Sequence, residues 1–495
     1  MEFFSKYRHL SWVLLLVPIY AFLFVKLGAF HIRLWDEGWF VVHAYEMLER
    51  GSLLVPYYNG EAVFYGSKPP LQTWLQMVFI KAIGYNELAV RLPSAIAAGL
   101  TVLLIFHWVR KVSSESVAWM AALFMLTIDG FVHFHTARGG EADALLTLTI
   151  IAQVYFFWNW LTSKQKKALW GLAAMIAISF WVKNVAGFMM LPGFLMYLLL
   201  YDRRSLIDAL KAKETYLIIG TGVLGGLSYL LVRELAQPGH MSFLIGRQAG
   251  RLVNDVGHDQ PIDYYFNRLK DERLRMYLPF AMVAVFLPFF KKDPAAKPFQ
   301  FASTLTLVYF LLISIARSKL EWYLMPIYPL IGVSLGYLVS LAITPLKAWQ
   351  KAILIALLFA WPCHVMLRKT QENKIDMWSK YYEMEEQYLF NAYNEGRNID
   401  GLNVVHDHFD GALLFYKYKF KIAGQHINLQ NNLDLKVGEL ALVDSDKHKK
   451  EIDSLFVLDT LDQLENVYLF EIISKKTVLP KDSSVTPFET QVIQP

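Results

Sequence analysis

An acidic pair, Asp36-Glu37, closes the first long hydrophobic stretch in the string R-L-W-D-E-G. Carboxylates are expensive to hold beside lipid, so such a pair is either solvated at the interface or kept there for a purpose. About thirty residues on comes S-K-P-P-L, Ser67 to Leu71. Two prolines hold the backbone after Lys68 extended and deny it a helix. A lysine fixed in that way suits a lipid phosphate, and it equally suits snorkelling to headgroups. Asp36 at a span end, against an apolar wall, is placed to act as a general base, with a capping role as the alternative. Glu37 is either a second catalytic carboxylate or the partner of a neighbouring base.

More polar residues of this kind follow at the ends of later apolar runs. Arg138, Glu141 and Asp143 lie in A-R-G-G-E-A-D, where Asp143 either caps the next helix or faces a cavity. Lys183-Asn184 forms a tight turn between two apolar runs, and Arg247, Arg251 and His258 fall in a long polar loop. Arg317, Lys319, Glu321 and Tyr323 crowd one further turn. His133 and His135 form an H-x-H pair that reads as interfacial. A lone loop histidine such as His258 is more often structural than a ligand, yet beside Asp36 or Asp143 it would complete a divalent metal site. Charges of both signs at one face suit a cavity that binds phosphate while activating a nucleophile.

The elements that must position these residues are membrane spans. The chain has 495 residues, 55% hydrophobic and 15% aromatic but only 18% charged, well below the quarter or so usual in soluble domains. Apolar runs long enough to cross roughly 30 Å of hydrocarbon recur about eleven times. The first runs from about Leu10 to Phe30, too long for a signal-peptide core and read as retained; the last ends near Leu367. Leu71 to Ile83 is apolar but too short to cross, and is expected to lie along the interface. Lysines and arginines mark alternate connections, at Lys6 and Arg8, Arg110 and Lys111, Lys164 to Lys167, Arg203 to Lys213, Lys291 to Lys297, and Lys347 with Lys351. The positive-inside rule then places the N-terminus in the cytoplasm and the long loops 31–87 and 236–275 outside, with every residue singled out above.

Residues 1–367 thus form the membrane part, and 368–495 read as a small external α/β domain. In the latter, Leu402 to Val405, Ala412 to Tyr418, Leu440 to Val443 and Val467 to Ile473 read as strands, with Asp446 to Leu455 and Leu458 to Glu465 as helices or turns. The one cysteine, Cys363, excludes an intramolecular disulfide. A net charge of +5 is small for this length and gives no sign of a nucleic-acid partner.

Taken in order, the strings W-D-E-G (35–38), A-Y-E-M-L-E-R-G (44–51), V-P-Y-Y-N-G (55–60), K-P-P-L-Q-T-W (68–74), N-E-L-A-V-R-L-P-S-A (86–95), A-R-G-G-E-A-D-A-L-L-T (137–147) and S-I-A-R-S-K-L-E-W-Y-L-M-P-I-Y-P (314–329) carry a resemblance. The chain resembles the polyprenyl-phosphate-dependent glycosyltransferases of the GT-C fold, in the branch of aminoarabinose transferases and protein mannosyltransferases. That resemblance implies an α-helical polytopic fold with about eleven or more spans and a small outer C-terminal domain. It makes Asp36 the catalytic carboxylate and Asp143 a second acid of the cavity. Lys68, Arg251, Arg317 and Lys319 would hold the lipid-linked phosphate beside Tyr323, and His258 would be the residue to touch a metal. Lys183 takes the place of a lysine usually followed by Gly-Pro, here by Asn184-Val185. The family commonly has Glu before Lys-Pro-Pro, where it contributes to metal binding. This chain has Ser67, which leaves the divalent cation and the acceptor class open.

The expected function is transfer of a sugar, with inversion, from a polyprenyl phosphate such as undecaprenyl phosphate. The acceptor would be a lipid A-type lipid, an envelope glycan or a protein hydroxyl on the outer face of a bacterial inner membrane. No nucleotide cofactor is expected, since no Gly-rich phosphate loop is present. The alternatives are a transporter or flippase of lipid-linked sugars, which would show mid-span polar residues and inverted repeats, and a non-catalytic scaffold, which would not need the outward charges.

Overall fold

The computed structural model describes residues 8–64, 68–132, 135–253, 258–371, 382–443 and 446–476. Ser67, His133 and Lys6 lie outside the described residues, and of Arg247 and Arg251 only the helical backbone is described. The chain is mostly helical. Seven helices are long and apolar enough to cross a membrane, Glu87–Val112, Asp143–Ser163, Lys166–Phe188, Lys213–Ala236, Pro294–Ile315, Glu321–Ile343 and Ala348–Gln371. Four shorter apolar helices, Leu10–Leu23, Glu115–Thr127, Leu191–Tyr201 and Leu278–Phe290, occupy the remaining places where a span is expected.

Local chemistry starts these helices. Asn86 accepts a hydrogen bond from the Ala89 amide, Ser114 from Val117 and Asp202 from Ser205, each satisfying an amide that the first turn leaves unpaired. Small residues let the long helices meet. A Cβ on Gly222 would stand 2.6 Å from the Ala173 carbonyl oxygen of the neighbouring helix, so only glycine permits that approach. The loop 31–87 is itself largely helical, with Asp36–Arg50 and Leu71–Ile83 joined through a two-stranded hairpin, β1 (Tyr57–Tyr58) and β2 (Glu61–Ala62).

Beyond the last long helix lies a five-stranded sheet in the order β4-β3-β5-β7-β6. Its strands are β3 (Leu402–Val405), β4 (Ile427–Gln430), β5 (Leu440–Val443), β6 (Phe456–Leu464) and β7 (Val467–Lys475). β3 is parallel to β4 and β5, while β7 runs antiparallel to β5 and β6. Two expectations are corrected here. Ala412 to Tyr418 is no strand but the middle of the helix Gly411–Ile422, and Leu458 to Glu465 is mostly edge strand β6. Asp446–Leu455 is a helix.

The Gly411–Ile422 helix packs on Asp36–Arg50. A Cβ on Gly38 would lie 2.6 Å from the Ala412 amide nitrogen and 2.8 Å from the Gly411 carbonyl carbon. Close by, the Lys419 ammonium donates to both oxygens of Glu87 at 2.7 Å, and both residues are buried. Tyr416 adds a hydroxyl that accepts from the Ile32 amide. Glu383 accepts from the Leu34 amide and from Arg33, so the chain leaving the first helix is held from the C-terminal side along its length.

Candidate active site

Asp36 is the first residue of its helix, where the unpaired amides and the helix dipole favour a carboxylate. The preceding Trp35 takes φ 68°, a left-handed conformation that costs a non-glycine residue on the order of 1–3 kcal/mol. Its indole stacks on Phe409, 5.4 Å between centroids, which holds that conformation from the C-terminal side. Lys68 donates from its ammonium to Asp36. The Asp36 side chain stays 31% exposed, so the ion pair opens toward the solvent-facing side rather than closing into the core. Burial pushes the Asp36 pKa up, but Lys68 outweighs it and, with Lys183 and His135, holds it at about 2.

Glu37 is fully buried and committed elsewhere. It accepts from Nε and Nη2 of Arg91 at 2.7 and 2.9 Å, and from the amides of Arg33 and Gly140, each at 2.8 Å. The same guanidinium donates to the carbonyls of Leu27, Phe30 and His31. This is an anchor: it ties the exit of the first helix, the start of the Asp36 helix and the Gly139-Gly140 turn to one point. Gln72 and Gln76 donate to the Gly140 carbonyl, and Ser94 to that of Glu141, so the turn is pinned from a third side.

That turn delivers Glu141 and Asp143. Asp143 opens its helix and accepts from Lys183 at 2.6 Å, and the Lys183 ammonium sits 5.1 Å from the centre of the Tyr323 ring. His135 lies face to face with Trp322, 4.1 Å between centroids, and its Nδ1 is 3.3 Å from Glu141. Burial, reinforced by Glu37, Asp36 and Asp143, pushes the Glu141 carboxyl well above the usual carboxylate range. Burial keeps His135 below its ordinary value even with Asp36 and Asp143 nearby. Two lysine–aspartate pairs, Asp36–Lys68 and Asp143–Lys183, are thus neighbours: Lys183 and His135 both act on Asp36, and Lys183 stands over the Tyr323 ring.

The other expected site residues fall less centrally. Lys319 is buried and donates to the Gln260 carbonyl at 2.7 Å, and its amide donates to the His258 carbonyl. Asp259 and Ser318 form a β-bridge, so the His258 loop is stitched to the Arg317–Lys319 turn. Arg317 and His258 themselves are exposed. Arg138 is buried, donating to the carbonyls of Phe22, Val25 and Thr370, and serves as a brace. Among the described residues no group of three or more His, Cys, Asp or Glu is arranged to hold a metal ion. His258 has no acidic cluster around it there, so the metal role expected of it finds no fit and no step is routed through a cation. His135 and Arg91 were the residues whose part the sequence hid. The signal available for Arg91 was a charge within the opening turns of an apolar helix.

Residues 67–230 match the family model described as dolichyl-phosphate-mannose-protein mannosyltransferase. An uncharacterised protein of Aquifex aeolicus is 24% identical over 72% of this chain and 68% of its own length. An undecaprenyl phosphate-alpha-4-amino-4-deoxy-L-arabinose arabinosyl transferase of Pseudomonas fluorescens is 23% identical over 65% of this chain and 55% of its own. In structure, the chain matches ArnT from Cupriavidus metallidurans bound to undecaprenyl phosphate with a TM-score of 0.68, at 15% identity, covering 94% of this chain and 98% of that one. The chain therefore has the fold of ArnT, and in sequence it is similar to glycosyltransferases.

Proposed function

We propose that the chain transfers a sugar from a polyprenyl phosphate, undecaprenyl phosphate in a bacterial inner membrane, to an acceptor that reaches the same face. The observation that carries this reading is the ion pair between Asp36 and Lys68, half-open at the end of the helical bundle. Asp36 is ionised and therefore able to take a proton; Lys68 is a cation beside it able to take a phosphate. As the acceptor oxygen attacks the anomeric carbon, its proton passes to Asp36. The bond from that carbon to the phosphate oxygen breaks on the opposite side, and its electron pair leaves with the polyprenyl phosphate. Lys68 stabilises the charge that grows there, and the configuration at carbon inverts. Sharing Lys68 with the donor phosphate weakens its hold on Asp36 and raises the basicity of that carboxylate when it is needed. Lys183, Asp143 and Tyr323 lie beside this pair, and Arg251 on the helix His240–Val253, with Arg317 and Lys319 in their turn, are the further reach for the donor phosphate. Glu37 acts through Arg91 as a positioning residue.

The arabinosyl transferase relative supports the donor class, and the ArnT match, to a protein holding undecaprenyl phosphate, agrees with it. Residues 1–367 would form the catalytic membrane part and 368–495 an outer unit, with the N-terminus cytoplasmic and the active face periplasmic. Lipid A-type lipids, envelope glycans and protein hydroxyls are the acceptor candidates. The test uses the full chain in lipid nanodiscs with a radiolabelled undecaprenyl-phosphate sugar and each acceptor in turn. Asp36→Asn should bind donor normally and lose at least 100-fold in turnover, in the usual range for a general base; Lys68→Ala should weaken donor binding first. Turnover by Asp36→Asn at the wild-type rate would sink the base assignment.

A further inference from the structure

At the end of the Lys213–Ala236 helix, Arg233 is 0% exposed, and its Nε and Nη1 have no hydrogen-bond partner. Nη2 donates to the Val63 carbonyl at 3.3 Å and to Gln237. The Tyr229 hydroxyl is one helical turn away and close enough to act on the guanidinium, but without good geometry to Nε or Nη1. The adjacent acid, Glu234, is spent on the amides of Gly239 and Met241 at 2.8 and 2.7 Å. That turn brings back His240, 1% exposed, whose ring stands edge-on to Tyr229 and whose two nitrogens are both unpartnered. Across the β1–β2 hairpin is a third such group. The Val63 amide donates to the Pro56 carbonyl, and the carbonyl of the next residue, Tyr57, is held by His43 Nδ1 at 2.8 Å. His43 is buried, and its Nε2 is without a partner.

A buried guanidinium with no carboxylate is among the least favourable arrangements a fold can hold, and a charged residue near a span end with unused donors points to a ligand. The unused donors leave different edges of the guanidinium and are joined by an imidazole from another element. One anion meets one of these edges, and a phosphate, with several oxygens, keeps others free for the imidazole. Leu231 and Leu235, on the opposite face of this helix from Arg233, are 61% and 75% exposed, so the span end that carries Arg233 turns an apolar face outward.

We propose that Arg233 and His240 form a second phosphate site for a lipid-borne phosphate, with His43 standing between it and the pocket that His43 and Lys68 line together. The site deepens the reading above by assigning a second phosphate to the same face. Its lipid is the donor, a phosphorylated acceptor or a bulk phospholipid.

The test measures binding, not turnover, so it stands or falls apart from the transferase reading. Full-length protein in dodecyl maltoside is titrated with undecaprenyl phosphate, with phosphorylated lipid A and with phosphatidic acid, followed by native mass spectrometry and thermal melting. Arg233→Met should melt above wild type without lipid, because an uncompensated buried charge is gone. It should also bind phosphorylated lipid about 10- to 100-fold more weakly, the range for a lost charged hydrogen bond. A loss confined to undecaprenyl phosphate assigns the site to the donor, one confined to lipid A to the acceptor, and an equal loss on phosphatidic acid to the headgroups. His240→Leu should weaken the same lipid and serves alone should Arg233→Met fail to fold. Affinities within twofold of wild type for all three lipids in the variants that fold overturn the site, whatever the melting temperatures do.

Discussion

Replacing Gly38 by alanine tests whether the C-terminal helix sets the position of the catalytic carboxylate. The added methyl would stand 2.6 Å from the Ala412 amide nitrogen and 2.8 Å from the Gly411 carbonyl carbon, and these are backbone atoms that cannot turn aside. Ordinary carbon contacts need about 3.5 Å or more, so the Asp36–Arg50 and Gly411–Ile422 helices must part by roughly an ångström. Overpacking of this sort costs about 1–3 kcal/mol in stability. The larger effect should be on rate. Gly38 is two residues from Asp36, at the start of the same helix, and a 1 Å misplacement of a reacting group is worth on the order of 100-fold. The expected result is a kcat reduced about 100-fold with a modest fall in melting temperature, read by the radiolabelled transfer assay and by thermal melting in detergent. Gly220→Ala is the control, since nothing lies within 4 Å of a Cβ there. A Gly38→Ala enzyme within twofold of wild type would refute the claim that this crossing positions Asp36. A protein that loses stability but keeps its rate would refute it equally.

Two further outcomes follow from buried charges. Lys419→Met strands the Glu87 carboxylate and should cost about 3–5 kcal/mol by denaturant unfolding, while the double variant with Glu87→Gln recovers most of it; equal losses in both would mean the pair is not the source. Glu141→Gln should keep the transfer rate within about threefold, because burial and the neighbouring acids push the carboxyl toward the neutral form that glutamine mimics. The sign in stability is fixed by the same shift. Above about pH 4.5 the unfolded chain ionises Glu141 while the folded chain keeps the proton, so wild type loses stability relative to the glutamine variant as pH rises. A gap between the two that stays flat from pH 4 to pH 8 would contradict the shift.

Much of the fold is legible because membrane spans are written as long apolar runs between basic connections, and few other structures produce that pattern. The helix break at Ile128 is less so, since it falls inside an apolar run, whereas the break at Asn184 follows the expected Lys183-Asn184 turn. Ala412 to Tyr418 reads as a strand because a short aromatic, apolar run has no decisive period. It is helical because the Gly411–Ala412 backbone must lie flat against Gly38, 373 and 374 residues back in sequence. Leu458 to Glu465 misleads in the other direction, since its charges are those of a protected sheet edge rather than a helix face. At the site, residue types were readable but partners were not. Asp36 and Lys68 are 32 residues apart and Asp143 and Lys183 are 40, and no local pattern joins them. Pairing also separates two adjacent acids: Glu37 has Arg91 and two amides against it, whereas the side-chain hydrogen bond of Asp36 is to Lys68, which the proposed mechanism has a phosphate draw away. Arg233 shows the converse. A single basic residue near a span end reads as snorkelling, and only its full burial with two donor nitrogens unused, a property of the packed molecule, turns it into a question about a ligand.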